Sequence, residues 1–320
     1  MKLLSAETFK DEMTNTVEPM LNSIHSCGIM PRRETGEGCG IYYDIYKPLN
    51  ATAAIVISHG FSESAEKFKE VIYYMVQMGY EVYAVDHRGH GRSFRQSHHP
   101  NLVFINSFND YVEDLHDFVS LVVKTETKLP LYLFGHSMGG AVAAIYIEKY
   151  PSDFKKAILT SPMLKLKLPI PELITRIYSG AICLVGKGDT FGPMQEPYKG
   201  YESFEGSSAS NEARFDYYQS KKASTEEFQL CALSYGWLYH SVTAIAKARS
   251  KKACSRITIP VLVLICNDDA LIDRSGPEQF VNNTESASLS VFSECRHEIY
   301  NSDDGVIAEY YKKVFDFLAD

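Results

Sequence analysis

The chain has 320 residues, 45% hydrophobic and 22% charged, enough for a large core with one inserted subdomain. Its net charge of −8, with no block of Lys or Arg, argues against a nucleic-acid partner. Seven scattered cysteines without a CxxC pair suggest neither a zinc ribbon nor a disulfide framework, and the N-terminus turns acidic too soon for a signal peptide, so a reducing, cytoplasmic setting is expected.

In chain order, residues 1–40 read as a mixed, helical lead-in. It ends in the glycine turn "GEGCG" (Gly36–Gly40), which precedes a strand and so is no dinucleotide site. "GIYYDIYKP" and "TAAIVISHG" then alternate or run apolar, as strands do. "AEKFKEVIYYMVQMGY" has helical periodicity and stops at Gly79. "EVYAVDH" is a buried strand leading into the turn "RGHGRS". "SFNDYVEDLHDFVSLVVKTET" is a long helix with Ser107 as its N-cap.

"LPLYLFGHS" is a strand, "MGGAVAAIYIEKY" a helix halted by Pro151, and "KKAILTSPM" a further strand. Downstream, "IPVLVLICNDDALID" and "ASLSVFSECRHEIYN" are strands followed by loops, and "DGVIAEYYKKVFDFLAD" closes the chain as a helix. Such alternation predicts an α/β fold, a mostly parallel central sheet flanked by helices. Residues 163–255 break the rhythm and read as an inserted helical cap on a core of 1–162 and 256–320. The most apolar stretch, Leu168–Val185, contains Pro169, Pro171, Glu172 and Arg176; it reads as an amphipathic helix rather than a membrane span.

The stretch "LYLFGHSMGGAVAAIYIEKY" carries the chemistry. Gly135 and Gly139 flank Ser137 where a strand turns sharply into a helix, the geometry that presents a serine hydroxyl as a nucleophile. A serine needs a base during attack. In this architecture a carboxylate and then a histidine follow along the chain, each past the end of a strand. Asp268 or Asp269 supplies the acid and His297 the base; Asp269 is favoured because a carboxylate needs a few residues past the strand to turn back. The developing oxyanion calls for two backbone N–H donors, Met138 at the start of the helix and Phe61 in the loop after "VISHG". His59 reads as a loop residue bonded to backbone. Asp86 and Arg88 of "DHRGHGRS" read as groups that satisfy a tight turn. No metal-ligand spacing and no GK[ST] follow, so neither a metal nor a cofactor is expected.

These motifs, "HGFSES", "DHRGHGRS", "GHSMGG", the Asp269 turn and "CRHEIYN", resemble the α/β-hydrolase superfamily. Within it the chain looks like the bacterial lysophospholipase and monoacylglycerol-lipase-like serine hydrolases, a serine aminopeptidase-like group. The likeness runs from about Gly40 to the C-terminus, with "NEARFDYY" and "SYGWL" resembling stretches of the lysophospholipase cap. It implies a catalytic triad of Ser137, Asp269 and His297, oxyanion donors Phe61 and Met138, and Glu63 as an anchor behind them. It also implies hydrolysis of an ester with one long acyl chain, a lysolipid or monoacylglycerol, with transient contact between cap and membrane surface. Cys266 and Asn267 depart from the glycine and small residue usual in the acid turn.

Leu166, Leu168, Ile170, Leu173, Ile177 and Leu184, with Tyr235, Trp237 and Tyr239, are candidates to wall the acyl chain, and Lys165, Lys167, Arg176 and Arg214 to meet a phosphodiester. An aminopeptidase acting on N-terminal proline would instead need cap carboxylates, available as Glu196, Glu202, Glu205, Glu212, Glu226 and Glu227. A noncatalytic binding protein on the same fold would be expected to have lost a triad member, and none is missing.

Overall fold

A computed structural model describes residues 1–32 and 39–320, so Gly36–Gly38 of the glycine turn lie outside the described residues. The strands are β1 (His25–Pro31), β2 (Gly40–Tyr46), β3 (Ala53–Ser58), β4 (Tyr80–Val85), β5 (Leu102–Val103), β6 (Leu131–His136), β7 (Lys156–Thr160), β8 (Ala232–Leu233), β9 (Val261–Cys266) and β10 (Ala287–Phe292). Eight form one sheet in the order β1-β2-β4-β3-β6-β7-β9-β10. The first two pairings are antiparallel and the rest parallel. This is the α/β-hydrolase fold.

The run of apolar residues in each central strand follows from burial on both faces. Ala54, Val56, Leu133, Val261 and Val263 enter one core cluster; Ile55, Ile57, Phe134, Leu262 and Leu264 enter the other. Alternate residues therefore divide between two layers of helix, as the two-residue period of a strand requires. The strand order reverses around β3, whose neighbours are β4 and β6. Ligands of open parallel sheets bind beyond the strand ends at such a crossover. Both the loop after β3 and the elbow after β6 open there.

The lead-in is helical only as far as Ser23, with Phe9, Met13, Val17 and Leu21 buried along one face. After it, His25–Pro31 forms β1, a strand invisible in the sequence because it lies at the sheet edge, half exposed and without alternation. The long helix after β4 begins at Asn109 and continues through a π-helical turn, Phe118–Val123. Ser107 lies just outside it; its hydroxyl takes the Asn109 N–H at 3.2 Å, while Phe108 holds the cap position.

Between β7 and β9 lie the helices Glu172–Leu184, Glu212–Ser224 and Tyr235–Ala248, together with β8, which pairs with β5. The first of these helices is amphipathic, with its apolar stripe facing outward. Thr175 and Ser179 are buried, and Gly180 packs on the Tyr239 ring so closely that an added Cβ would lie 2.9 Å from it. Small side chains let this helix approach its neighbour. Leu173, Ile174, Ile177 and Leu184 are left exposed. No helix among the described residues is long and apolar enough to cross a membrane.

Candidate active site

Ser137 sits on the bend between β6 and the helix Met138–Lys149, with φ 52° and ψ −116°. This strained backbone persists because its surroundings leave no alternative. A Cβ on Gly139 would lie 2.1 Å from the Ser58 carbonyl oxygen and 2.4 Å from that of His59. A Cβ on Gly135 would lie 2.7 Å from the Gly139 carbonyl oxygen. Glycine at these two positions thus presses the elbow against the loop that follows β3.

The hydroxyl of Ser137 lies 2.8 Å from His297 Nε2, and His297 Nδ1 lies 2.6 Å from Asp269 Oδ2. The other carboxylate oxygen of Asp269 accepts the N–H groups of Leu271 and Ile272 at 2.8 and 3.0 Å. Burial works to raise the pKa of Asp269, but the bond to His297 and these N–H groups hold it below its ordinary value. Asp268 points into solvent beside Asn267. With His297 Nδ1–H donating to the carboxylate, Nε2 is free to accept the serine proton.

Sequence reasoning missed two supports of this chain. Ser161, at the end of β7, donates its hydroxyl to the His297 carbonyl at 2.7 Å. Lys167 donates to the Asp269 carbonyl at 2.5 Å. Neither belongs to a motif, and both arrive from distant parts of the chain.

Glu63 ties the loop after β3 in place. It accepts the Gly60 N–H at 2.6 Å, Lys67 Nζ at 2.8 Å and the Tyr300 hydroxyl at 3.1 Å. Burial opposes its charge, yet Lys67 and His136 bring its pKa down to about 2. His59 takes the His87 N–H on Nε2 at 2.9 Å, and its Nδ1 lies 2.7 Å from the Gly60 carbonyl. These two bonds fix the neutral ring, and burial lowers its pKa to about 4. Among the described residues, the Phe61 and Met138 N–H groups donate to no other group. Asp86 accepts the N–H groups of Ala65 and Arg92, whereas Arg88 forks onto the carboxylate of Asp114 at 2.6 and 2.8 Å.

Ser137 and His297 face a cavity of about 480 Å³ beneath the helix Glu212–Ser224. Its wall is mixed: Phe61, Phe215 and Leu271 beside Lys67, Glu202 and Lys222. Lys67 bridges Glu63 and Glu298, and Lys222 pairs with Glu202 at 2.5 Å. None of the apolar residues expected to wall an acyl chain lines this cavity. Periodicity identifies a stripe and leaves open which way it faces. Trp237 is instead buried against the Phe61 ring, 4.4 Å between centroids. Of the cations expected at a head group, Arg214 lines the cavity but is pinned to Glu70 at 3.1 Å, and Lys165 pairs with Asp273. Lys67 and Lys222 went unnoticed because an isolated lysine carries no sequence signal.

One group of potential metal ligands occurs among the described residues. His25, Cys27 and Asp44 bring ligand atoms within 4.8 Å of one another on the β1–β2 hairpin, remote from Ser137 in the strand order.

The family described as "Serine aminopeptidase, S33" matches residues 50–304. The chain is 26% identical over 285 residues to the probable lysophospholipase L2 of Haemophilus influenzae, covering 87% of each. It is 24% identical over 277 residues to the human monoglyceride lipase, covering 85% of this chain and 84% of that one. Against lysophospholipase L2 of Escherichia coli K12 it is 36% identical over 122 residues, spanning 38% of this chain and only 36% of that relative. Among solved structures, a Bacillus coagulans carboxyl esterase superposes with a TM-score of 0.73 at 18% identity, covering 92% of this chain and 98% of the other. A Saccharomyces cerevisiae monoglyceride lipase superposes at 0.67 with 20% identity, covering 89% and 94%. These structures share the fold.

Proposed function

The chain belongs to the serine aminopeptidase S33 family, and from that premise we propose a serine esterase that cleaves the single acyl ester of a lysophospholipid or monoacylglycerol through an acyl-enzyme. The observation that carries this reading is the hydrogen-bonded chain from Ser137 through His297 to Asp269, facing a cavity of about 480 Å³. The names of the relatives support the substrate class.

His297 takes the Ser137 proton as Oγ attacks the ester carbonyl, and Asp269 stabilises the imidazolium. The oxyanion is received by the N–H groups of Phe61 and Met138. The tetrahedral intermediate collapses, His297 protonates the departing alcohol, and the acyl group remains on Ser137. Water, activated by the same histidine, then releases the fatty acid. The polar side of the cavity, with Lys67 and Lys222, suits the hydroxyl-rich or phosphate-bearing alcohol; Phe61, Phe215 and Leu271 suit the start of the acyl chain. Residues 163–255 act as the cap over a core of 1–162 and 256–320. The exposed Leu173, Ile174, Ile177 and Leu184 give that cap a surface for transient contact with lipid aggregates. A cytoplasmic location is part of this reading, because the cysteines are scattered along the chain without a CxxC pair.

The aminopeptidase reading finds less support. Of the six cap carboxylates considered, only Glu202 lines the cavity, and it is engaged by Lys222 and Gln219. The test compares hydrolysis of lysophosphatidylcholine, a monoacylglycerol, a short p-nitrophenyl ester and a proline anilide. Turnover of the lipids and the ester is expected. Turnover of the anilide alone would overturn the esterase reading, and failure of a fluorophosphonate to label Ser137 would favour a noncatalytic binding protein.

A further inference from the structure

The hairpin of β1 and β2 carries three side chains that no step of ester cleavage uses. Cys27 stands directly opposite Asp44 in the antiparallel register, where facing side chains have Cβ atoms about 5 Å apart. His25 comes two residues before Cys27, so the period of the strand puts both on that face. The His25 ring reaches diagonally to Asp44, with Nε2 2.7 Å from Oδ1. An imidazole nitrogen, a thiol sulfur and a carboxylate oxygen thus lie within 4.8 Å of one another. Asp44 is buried while His25 and Cys27 reach the surface, so an ion can enter from solvent. The hairpin precedes residues 50–304, so the family match gives these side chains no role.

We propose that His25, Cys27 and Asp44 bind a zinc ion that staples the edge strand β1 to β2. The donor set selects the metal. Calcium and magnesium take oxygen ligands, whereas a thiolate beside an imidazole and a carboxylate suits zinc. The charges close as well, since thiolate and carboxylate balance the two positive charges of the ion and the imidazole binds neutral. The ion bonds to the Cys27 sulfur, and the thiol proton leaves to solvent. Water completes the tetrahedron on the exposed side.

Zinc bonds of about 2.0–2.3 Å set tetrahedral ligand atoms about 3.3–3.6 Å apart. The imidazole therefore backs away from Asp44 by about 0.6 Å, and the exposed thiol swings inward. Two neighbours hold the ligands in place. The Tyr42 hydroxyl donates to Asp44 Oδ1 at 3.0 Å, the kind of bond that orients a metal-bound carboxylate. The buried Tyr46 ring lies against the His25 ring, with centroids 4.9 Å apart. The staple has a use here, because β1 ends the eight-stranded sheet and is half exposed. Such an edge is where a strand detaches or pairs with another chain.

The test uses the full chain, made metal-free by dialysis against a chelator and then titrated with zinc chloride. Calorimetry should find one ion per chain, and free zinc at about a hundred times Kd should raise Tm by about 5 °C. Cobalt chloride in place of zinc should give a thiolate-to-metal charge-transfer band and the intense visible bands of four-coordination. Cys27→Ser and His25→Gln should each lower zinc affinity at least about a hundredfold, and Tyr42→Phe about ten- to a hundredfold. Asp44→Asn should behave like the first two; should this buried change prevent folding, the two surface variants still decide. Zinc held by Cys27→Ser as tightly as by wild type, cobalt without the thiolate band, or no binding would each overturn the inference. Binding lost in His297→Ala and kept in His25→Gln would place the ion at the catalytic histidine and overturn it too. None of these readouts depends on ester turnover.

Discussion

Replacing Asp269 with asparagine tests the proposed triad at one atom. Oδ1 accepts two backbone N–H groups at 2.8 and 3.0 Å, so only the amide oxygen of asparagine can stand there. The amide NH2 is therefore forced to face His297 Nδ1, now 2.6 Å from Oδ2. Two donors cannot meet, so the ring proton moves to Nε2 and the imidazole can no longer accept from Ser137. The transition state also loses the charge that stabilises the imidazolium. A wrong tautomer of this kind costs about 10⁴-fold in kcat, or roughly 5 kcal/mol of barrier. Stability should change little, because shape and both backbone bonds survive. The assay is kcat on a p-nitrophenyl ester beside Asp268→Asn, which should stay within about twofold because the Asp268 carboxylate is exposed and, among the described residues, hydrogen-bonds to the Asn267 side chain alone. Asp269→Asn within tenfold of wild type, or a large loss in Asp268→Asn instead, would refute the assignment.

Gly139→Ala should abolish fluorophosphonate labelling and cost about 1–3 kcal/mol, since its Cβ meets two backbone oxygens. Gly79→Ala, at φ 81° with open space around it, should be destabilised by about 1 kcal/mol while labelling normally. Equal labelling of both variants would contradict the close approach of elbow and loop. Glu148 is buried with one oxygen lacking a partner among the described residues, and burial lifts its pKa to about 8. The folded state thus binds this proton more tightly than the unfolded one, so its contribution is present in full below about pH 4.5 and is lost as pH rises through about 8. Glu148→Gln should stabilise the protein relative to wild type at pH 9, by at most about 4 kcal/mol, compared with its effect at pH 5; urea melts showing the same difference at both pH values would refute this. Ile177→Asp with Leu184→Asp should weaken co-sedimentation with phosphatidylcholine vesicles several-fold while leaving turnover of a soluble ester intact. Unchanged co-sedimentation would remove the membrane role of that face.

The sequence by itself determined the α/β alternation, the glycine-flanked serine, and the order of serine, acid and histidine. Each is local: a two- or 3.6-residue period, or a bend only glycine permits. Even the preference for Asp269 over Asp268 came from how far a turn must run before a carboxylate points back, and in the fold Asp269 meets His297 while Asp268 faces solvent. Tertiary structure alone decided what depends on the environment of a side chain. The edge strand β1 pairs with β2 without any alternation of its own. The helix Glu172–Leu184 buries Thr175 and Ser179 and leaves its leucines outside, because close packing against Tyr239 favoured small residues over apolar ones. Lys67 and Ser161 acquire meaning only from partners far away in the chain, Glu298 and His297, and Lys222 only from Glu202 across the cavity wall. Periodicity records which residues share a face, and only the folded neighbours establish what that face meets.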